Sequence, residues 1–341
     1  MKTVDHNFLD EKEKKMKKGN LVLVSMLVLA LAGALVFSSK ALAQYPDKSV
    51  TMICGFPAGG GLDVTARAIT EATKKHFPKP IVVVNRPGAA GSIGVSEVVA
   101  AKPDGYTIGI AAVASLAVVP HQSKLPYGPP SDYSPILNLV NIPLCLSVKS
   151  DAPWKNIQEF IAFARANPGK IRVGLAGGLG TLFHLNVEQL KAQAKIDLTP
   201  VPFAGAAESV PALLGGHVEA DCHTASEILP HVQAGKARVL GVFEEKRNPL
   251  YPDAPTFKEL GYDITLAAYY LIIGPKDLPP QIFSSLHDAF KKGMEDPAFT
   301  NVIKEKGYEI QYQGPQEIKS RLMKDYENSQ KLVEVLGLKS K

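Results

Sequence analysis

Cysteine is scarce. Cys54, Cys145 and Cys222 are the only three in 341 residues, widely spaced and without a C-x-x-C pair. An odd, scattered set of this kind argues against a disulfide framework and leaves free buried thiols as the expectation. Catalytic signatures are missing too: there is no G-x-S-x-G elbow, no H-E-x-x-H pair and no G-x-x-x-x-G-K-[ST] loop, and the glycine clusters do not fit the G-x-G-x-x-G dinucleotide spacing. A strong charge of one sign is absent as well. The formal net charge is +5, but seven basic and four acidic residues fall in 1–43, which leaves 31 basic and 29 acidic residues beyond. A chain so nearly balanced offers a nucleic acid no electrostatic footprint.

The one long uncharged apolar run, "LVLVSMLVLALAGALVF" at 21–37, follows the basic "KEKKMKKGN" and leads into "SSKALAQ". Ala41, Leu42 and Ala43 give the small-x-small pattern of a secretory cleavage site, so residues 1–43 read as an export signal cut after Ala43. An uncleaved anchor is the rival reading, since such a run sits at the short edge of what spans a bilayer. No cysteine follows the apolar core, which argues against a lipoprotein, and translation from Met16 would give a more compact signal.

What is present is an alternation of short β-rich runs and longer amphipathic ones. "SVTMI", "IVVVN", "YTIGIAA", "LCLSVK", "IRVGLA", "DLTPVPF", "HVEADC", "ARVLGVF" and, further on, "YYLIIGP" read as strands. Stretches such as "LDVTARAITEATKKHF", "FHLNVEQLKAQA" and "AAESVPALLGG" between many of them read as helices, and "LPPQIFSSLHDAFKKGM" as one packed on the first half. The pattern predicts α/β units on mostly parallel sheets, in two domains, with ligands collecting in loops at the carboxyl ends of strands.

Two such loops are glycine-rich. "CGFPAGGGLDVTARAI" (54–69) runs from strand through Gly59, Gly60 and Gly61 into a helix, and "VGLAGGLGTLFHLNVEQL" (173–190) repeats the arrangement with Gly177, Gly178 and Gly180. Glycine permits φ > 0 and close approach of another molecule to the main chain, and a helix start favours an anion. Neither loop contains Lys or Arg, so recognition would rest on backbone N–H groups and hydroxyls such as Thr181. "VPFAG" joins a further strand to a helix with Phe203 and Gly205 at the junction, and Asp221 is expected near the end of the next strand. In "HVEADCH", unbroken strand alternation would put His217, Glu219, Asp221 and His223 on one face, which is the basis of an alternative metal-dependent reading. His184 is expected to pack or cap.

The ordered motifs "FPAGGGLDVTAR", "VNRPGAAGSIG", "KPDGYTI", "GLGTLFHL", "VPFAG", "LLGGHVEA", "HVQAGKARVLGV", "RNPLYPDAPTFKELGY" and "LPPQIFSSLHDAF" resemble the substrate-binding receptors of tripartite tricarboxylate transporters, the Bug-type receptors. The resemblance spans essentially all of the chain after Gln44. It implies the type II periplasmic-binding-protein fold: two α/β lobes, 45–146 plus 269–341 and 147–268, closing on a ligand across a hinge. It implies further that Phe56, Ala58, Gly59, Gly60 and Asp63 form one carboxylate grip and Gly178, Gly180 and Thr181 the other. Phe203, Gly205 and Asp221 would form cleft wall, and Ala114 and Ser115 a loop at the mouth. The receptor is expected to be a periplasmic or otherwise extracytoplasmic monomer without cofactor or catalysis, delivering a small carboxylate to membrane permease subunits. A receptor that reports to a signalling partner is the alternative. The chain departs from the family pattern at Gly55, where proline is common, and at Leu179, where a small residue is common.

Overall fold

The run Val50–Cys54 forms strand β1, and its β-branched, apolar residues bury almost completely. In this computed structural model, which describes residues 45–264 and 266–339, Lys48–Lys341 forms one compact unit. The segment read as an export signal lies outside the described residues.

Two sheets organise the unit. The first contains β1, β2 (Ile81–Asn85), β3 (Thr107–Ala112), β4 (Tyr133–Ile142), β10 (Ala268–Pro275) and β11 (Glu309–Gln313), in the order β11-β4-β10-β3-β1-β2. β1 runs parallel to β2 and β3, whereas β10 is antiparallel to β3 and β4, and β11 antiparallel to β4. The second contains β5 (Leu144–Lys149), β6 (Arg172–Ala176), β7 (Thr199–Phe203), β8 (Ala220–Thr224) and β9 (Ala237–Val242), in the order β7-β6-β8-β5-β9. The architecture is the expected pair of α/β units, but both sheets are mixed and not mostly parallel as the alternation predicts, because β10, β11 and β5 run antiparallel to their neighbours. The chain passes from first sheet to second at the single residue Pro143 and returns through 243–267. Because β5 lies wholly in the second sheet, the passage falls at Pro143 and not after Leu146.

The helices follow from the apolar spacing of the sequence. After β1 comes α1 (Gly61–Thr73), which buries Leu62, Ala66, Ile69 and Thr73 along one stripe. Next are α2 (Ser92–Val99), α3 (Val113–Ala117) and α4 (Val119–Gln122), then α5 (Ile157–Ala166), opened by Asn156, whose side chain accepts from the Glu159 amide at 2.9 Å. In the second sheet α6 (Leu182–Ala194) follows β6, α7 (Ala206–Leu214) follows β7, and α8 (Ala225–Gln233) follows β8. Three helices, α9 (Pro280–Gly293), α10 (Pro297–Glu305) and the 21-residue α11 (Pro315–Val335), then return to the first sheet.

One apolar core runs through both sheets, from Ile53, Val98 and Leu116 to Leu146, Val173 and Leu240. Each large side chain fully buried here contributes roughly 1.5–3 kcal/mol. The three cysteines are buried and unpaired, as expected. Among the described residues no helix is long and apolar enough to cross a membrane.

Candidate ligand-binding site

The first glycine loop is held by its own helix. Gly59, at φ +81°, donates its N–H to Asp63 Oδ2 at 2.9 Å, and the same oxygen accepts from Arg67 Nε at 3.0 Å. Asn85, the last residue of β2, donates to Asp63 Oδ1 at 2.8 Å and to the Phe56 carbonyl at 2.9 Å. Asp63 is 1 % exposed. Burial pushes its carboxyl up, but Arg67, the Gly59 amide and Asn85 outweigh that and hold it below the usual carboxylate range. Its carboxyl is occupied by Gly59, Arg67 and Asn85 as a loop clamp and is not an open ligand contact. Ala58, Gly59 and Gly60 are exposed above it. Gly60 caps α1, so the donors this loop leaves without a helical carbonyl are the first-turn amides of Gly61, Leu62 and Asp63. The Gly59 amide does not serve, because Asp63 occupies it.

A second strand-to-helix connection packs against the first. Gly55 lies so close to Gly91 that a Cβ there would come within 2.5 Å of the Gly91 carbonyl oxygen, which no proline or alanine would tolerate. The glycine at 55 therefore lets the two loops stack. Gly91, at φ +88°, in turn leaves room for the Phe56 ring and the Ser115 hydroxyl, each of which would be 2.6 Å from an added Cβ. Ser115 is buried and donates to the Ala90 carbonyl at 2.8 Å, fixing a residue at φ +52°. Phe56 and Ser115 thus meet around Gly91, with Ala114 half-buried alongside.

The loop after β6 is also bonded internally. Gly177 donates to the Phe203 carbonyl at 3.1 Å, Gly178 to that of Leu175 at 3.2 Å, and the Thr181 hydroxyl to the Gly178 carbonyl at 2.8 Å. Gly180, at φ +78°, donates its N–H to His184 Nδ1 at 3.1 Å. His184 Nδ1 is therefore the acceptor, which requires a neutral ring protonated at Nε2, and burial pulls its pKa down accordingly. Its role is the capping one expected. As in the first loop, the donors left at the opening are first-turn amides, those of Leu182, Phe183 and His184 after the N-cap Thr181. Leu179 projects from the tip, 56 % exposed. Gly205, beside Phe203, is the N-cap of α7.

Contacts also link elements of the two sheets beside these loops. Gln122, at the end of α4, donates through Nε2 to the Gly180 carbonyl at 2.9 Å. On another edge, Gly307 packs so tightly on Ser226 of α8 that a Cβ would come within 2.5 Å of it, and the hydroxyl of Tyr308 would meet a Cβ on Gly61 at the same distance. Tyr308, Gly61 and the start of α8 therefore share one neighbourhood.

Asp221 is placed elsewhere than expected. It pairs with Gly174 of β6, is fully buried, and its carboxyl packs against Gly174 beside the Phe203 ring. Neither carboxyl oxygen finds a hydrogen-bond partner; Ser209 of α7 and the Cys222 amide lie near without closing one. Burial pushes the group up to about 7, against slight opposition from those two neighbours. A side chain so enclosed is part of the layer beneath α7 and not of an open cleft wall. The metal alternative loses its geometry: the strand begins only at Ala220, His217 is exposed in the preceding turn, and Glu219 is bonded to Arg172 Nη2 at 2.6 Å. His223 instead accepts from or donates to Ser147 Oγ at 2.7 Å, fully buried. Among the described residues no group of three or more His, Cys, Asp or Glu side chains is arranged to hold a metal.

Residues 65–338 match the model of the tripartite tricarboxylate transporter family receptor. The chain belongs to that family. It is 34% identical over 295 residues to the UPF0065 protein in the gbd 5′ region of Cupriavidus necator, covering 86% of this chain and 89% of the relative. It is also similar to a TctC solute-binding protein from Polaromonas, with a TM-score of 0.80 and 31% identity over 85% of this chain and 99% of the other. A second similar structure is that of an R. palustris protein with adipate, TM-score 0.69 and 27% identical, covering 86% of this chain and 98% of that one. Members of this receptor family are solute-binding proteins, and the two-lobed fold is theirs.

Beside the glycine loops, Asn85, Gln122 and Tyr308 do structural work that the sequence reading did not assign to them. One signal was readable. Thr224 to Glu227 is a T-x-x-E capping box, and the structure shows both of its reciprocal bonds, which marks the start of α8.

Proposed function

We propose that the protein captures a small mono- or dicarboxylate between the loops that open α1 and α6, and delivers it to the membrane permease of a tripartite transporter after export and cleavage behind Ala43. The observation that carries this reading is the Gln122 to Gly180 bond: a side chain of the first sheet's elements holds the glycine loop of the second. It supports one cleft with a helix opening on either side. First-turn amides supply donors without side-chain charge, and the positive end of each helix dipole favours an anion there. Phe56, Leu179 and Phe203 lend the walls an apolar character that suits a carbon chain between two carboxylates, as in the relative with adipate.

The lobes part at Pro143 and within 243–267. A ligand touching both stabilises the closed arrangement, and only its differential affinity for closed over open shifts that equilibrium. Thermal unfolding of the purified protein against a panel of mono- and dicarboxylates tests this. A true ligand at 100 times its dissociation constant adds about 2.7 kcal/mol of stability. A full panel without any shift, or shifts produced only by cationic compounds, sinks the proposal.

A further inference from the structure

On the side of the first sheet that carries β11 and α11 lies a cavity of about 460 Å³, and neither glycine loop contributes to its lining. Its walls come from Glu244–Arg247, where the chain leaves the second sheet, from β11, and from α11. On one wall Arg321 donates through Nη1 to three neutral oxygens, Asn141 Oδ1 at 3.1 Å, Gln311 Oε1 at 3.0 Å and Gln313 Oε1 at 2.8 Å. Its guanidinium lies 4.0 Å above the Tyr269 ring and, among the described residues, forms no ion pair. On another wall Glu244, only 6 % exposed, accepts from Asn248 Nδ2 at 3.2 Å. The same amide reaches Glu309 Oε1 at 3.4 Å. Neither carboxylate has a cationic partner among the described residues. Burial, then the neighbouring charge of Glu309, pushes Glu244 up to about 7, and burial raises Glu309 as well.

We propose that this cavity is a second binding site, for a small zwitterion of the α-amino acid type, with its ammonium group between Glu244 and Glu309 and its carboxylate on Arg321. Arg321 on one wall and Glu244 and Glu309 on the other face one space with no ion pair closed between them, and the hydrogen bonds of each go to neutral amides. The charge of Arg321 is felt at Glu244, and Lys246, Lys324, Glu317 and Asp325 complete a lining of both signs. A zwitterion supplies both missing partners at once. A dicarboxylate would meet the repulsion of the two glutamates, and a simple cation that of Arg321. The occupant touches the returning segment at Glu244 and the first sheet's β11 and α11, and the site is separate from the proposed carboxylate cleft and does not depend on it.

Isothermal titration with L-glutamine as the probe tests the assignment on the full purified protein and on three variants. Glu244→Gln and Arg321→Gln each remove one charge, and Ser320→Trp fills the cavity from an exposed position on α11, where a large side chain leaves the core untouched. The expected result is glutamine binding to the unaltered protein, weakened by roughly tenfold or more in each variant, the size of one lost charge-assisted hydrogen bond. No binding to the unaltered protein, or binding that Ser320→Trp leaves intact while circular dichroism shows the variant folded, overturns it.

Discussion

Replacing Asp221 with asparagine removes an ionisable group that the fold keeps protonated, and the consequence is a pH-dependent gain in stability. The carboxyl is fully buried with neither oxygen bonded, and its pKa is raised from 3.8 to about 7. Below the ordinary value both folded and unfolded chains carry the proton, so the group has no effect on stability. Between there and about 7 the unfolded chain releases its proton and the folded one does not, so stability falls as pH rises. Each unit of the displacement is worth about 1.4 kcal/mol, which sums to an upper bound of about 4 kcal/mol once the folded carboxyl also ionises. The amide introduced by Asp221→Asn is nearly isosteric and stays neutral throughout. Urea unfolding of both proteins at several values between about pH 4.5 and pH 9 should therefore show a stability gap that is small at the acid end, widens on the way to neutrality and is flat beyond it. Other titrating groups cancel in the difference between the two chains. A gap that stays constant across this range refutes the reasoning, because it means that the carboxyl ionises in the folded protein as readily as in water.

Gln122→Ala removes the bond to the Gly180 carbonyl and should cost about 1 kcal/mol. Small-angle scattering of the ligand-free variant should report a larger radius of gyration, and an unchanged radius means that this bond does not hold the loops together. Gly91→Ala forces a side chain into φ +88° and into the 2.6 Å gaps to Phe56 and Ser115. Strain and overpacking together should cost roughly 2–4 kcal/mol, read from the urea midpoint, and a variant as stable as the parent would show that the two stacked loops can part freely.

The strands that the sequence reveals are those whose apolar, β-branched runs are bounded by glycine, proline or asparagine, from "SVTMI" to "ARVLGVF". β4 escapes this reading because its residues are buried on both faces, which erases alternation, and because Pro135 sits inside it. The structure accommodates that proline next to a break in register opposite Ile272 and Ile273. β11 escapes because it is a short, polar edge strand, "EIQYQ". At the site, the glycines are legible since a positive φ restricts residue choice so strongly. Their clamps are not: Asn85 reaches Asp63 from 22 positions away and Gln122 reaches Gly180 from 58, and no local pattern encodes such pairs. Asp221 shows the limit of period-two reasoning. Alternation on β8 assigns a side chain to a face, but only the packing of α7 decides that this face is closed.

The internal bonding of both glycine loops bears directly on how the proposed carboxylate would be recognised. Had the loop amides been bare, each would point at solvent and need ordering when a ligand arrived, at an entropic cost set against every bond formed. Instead Asp63 fixes Gly59 and His184 fixes Gly180, so the backbone around each helix opening is rigid beforehand. Asp63 could have repelled an anion, but its charge is matched by Arg67, the ion pair being 3.0 Å long and its acidic member almost wholly enclosed. What remains toward the opening is the partial positive charge of first-turn amides, which is modest at any one helix, about 0.3–1 kcal/mol where solvent is present. Two such openings become strong only when closure removes the water between them and lowers the local dielectric. Affinity for the proposed carboxylate would therefore arise from the closing motion itself, and a loop without lysine or arginine would let go of it once the lobes part.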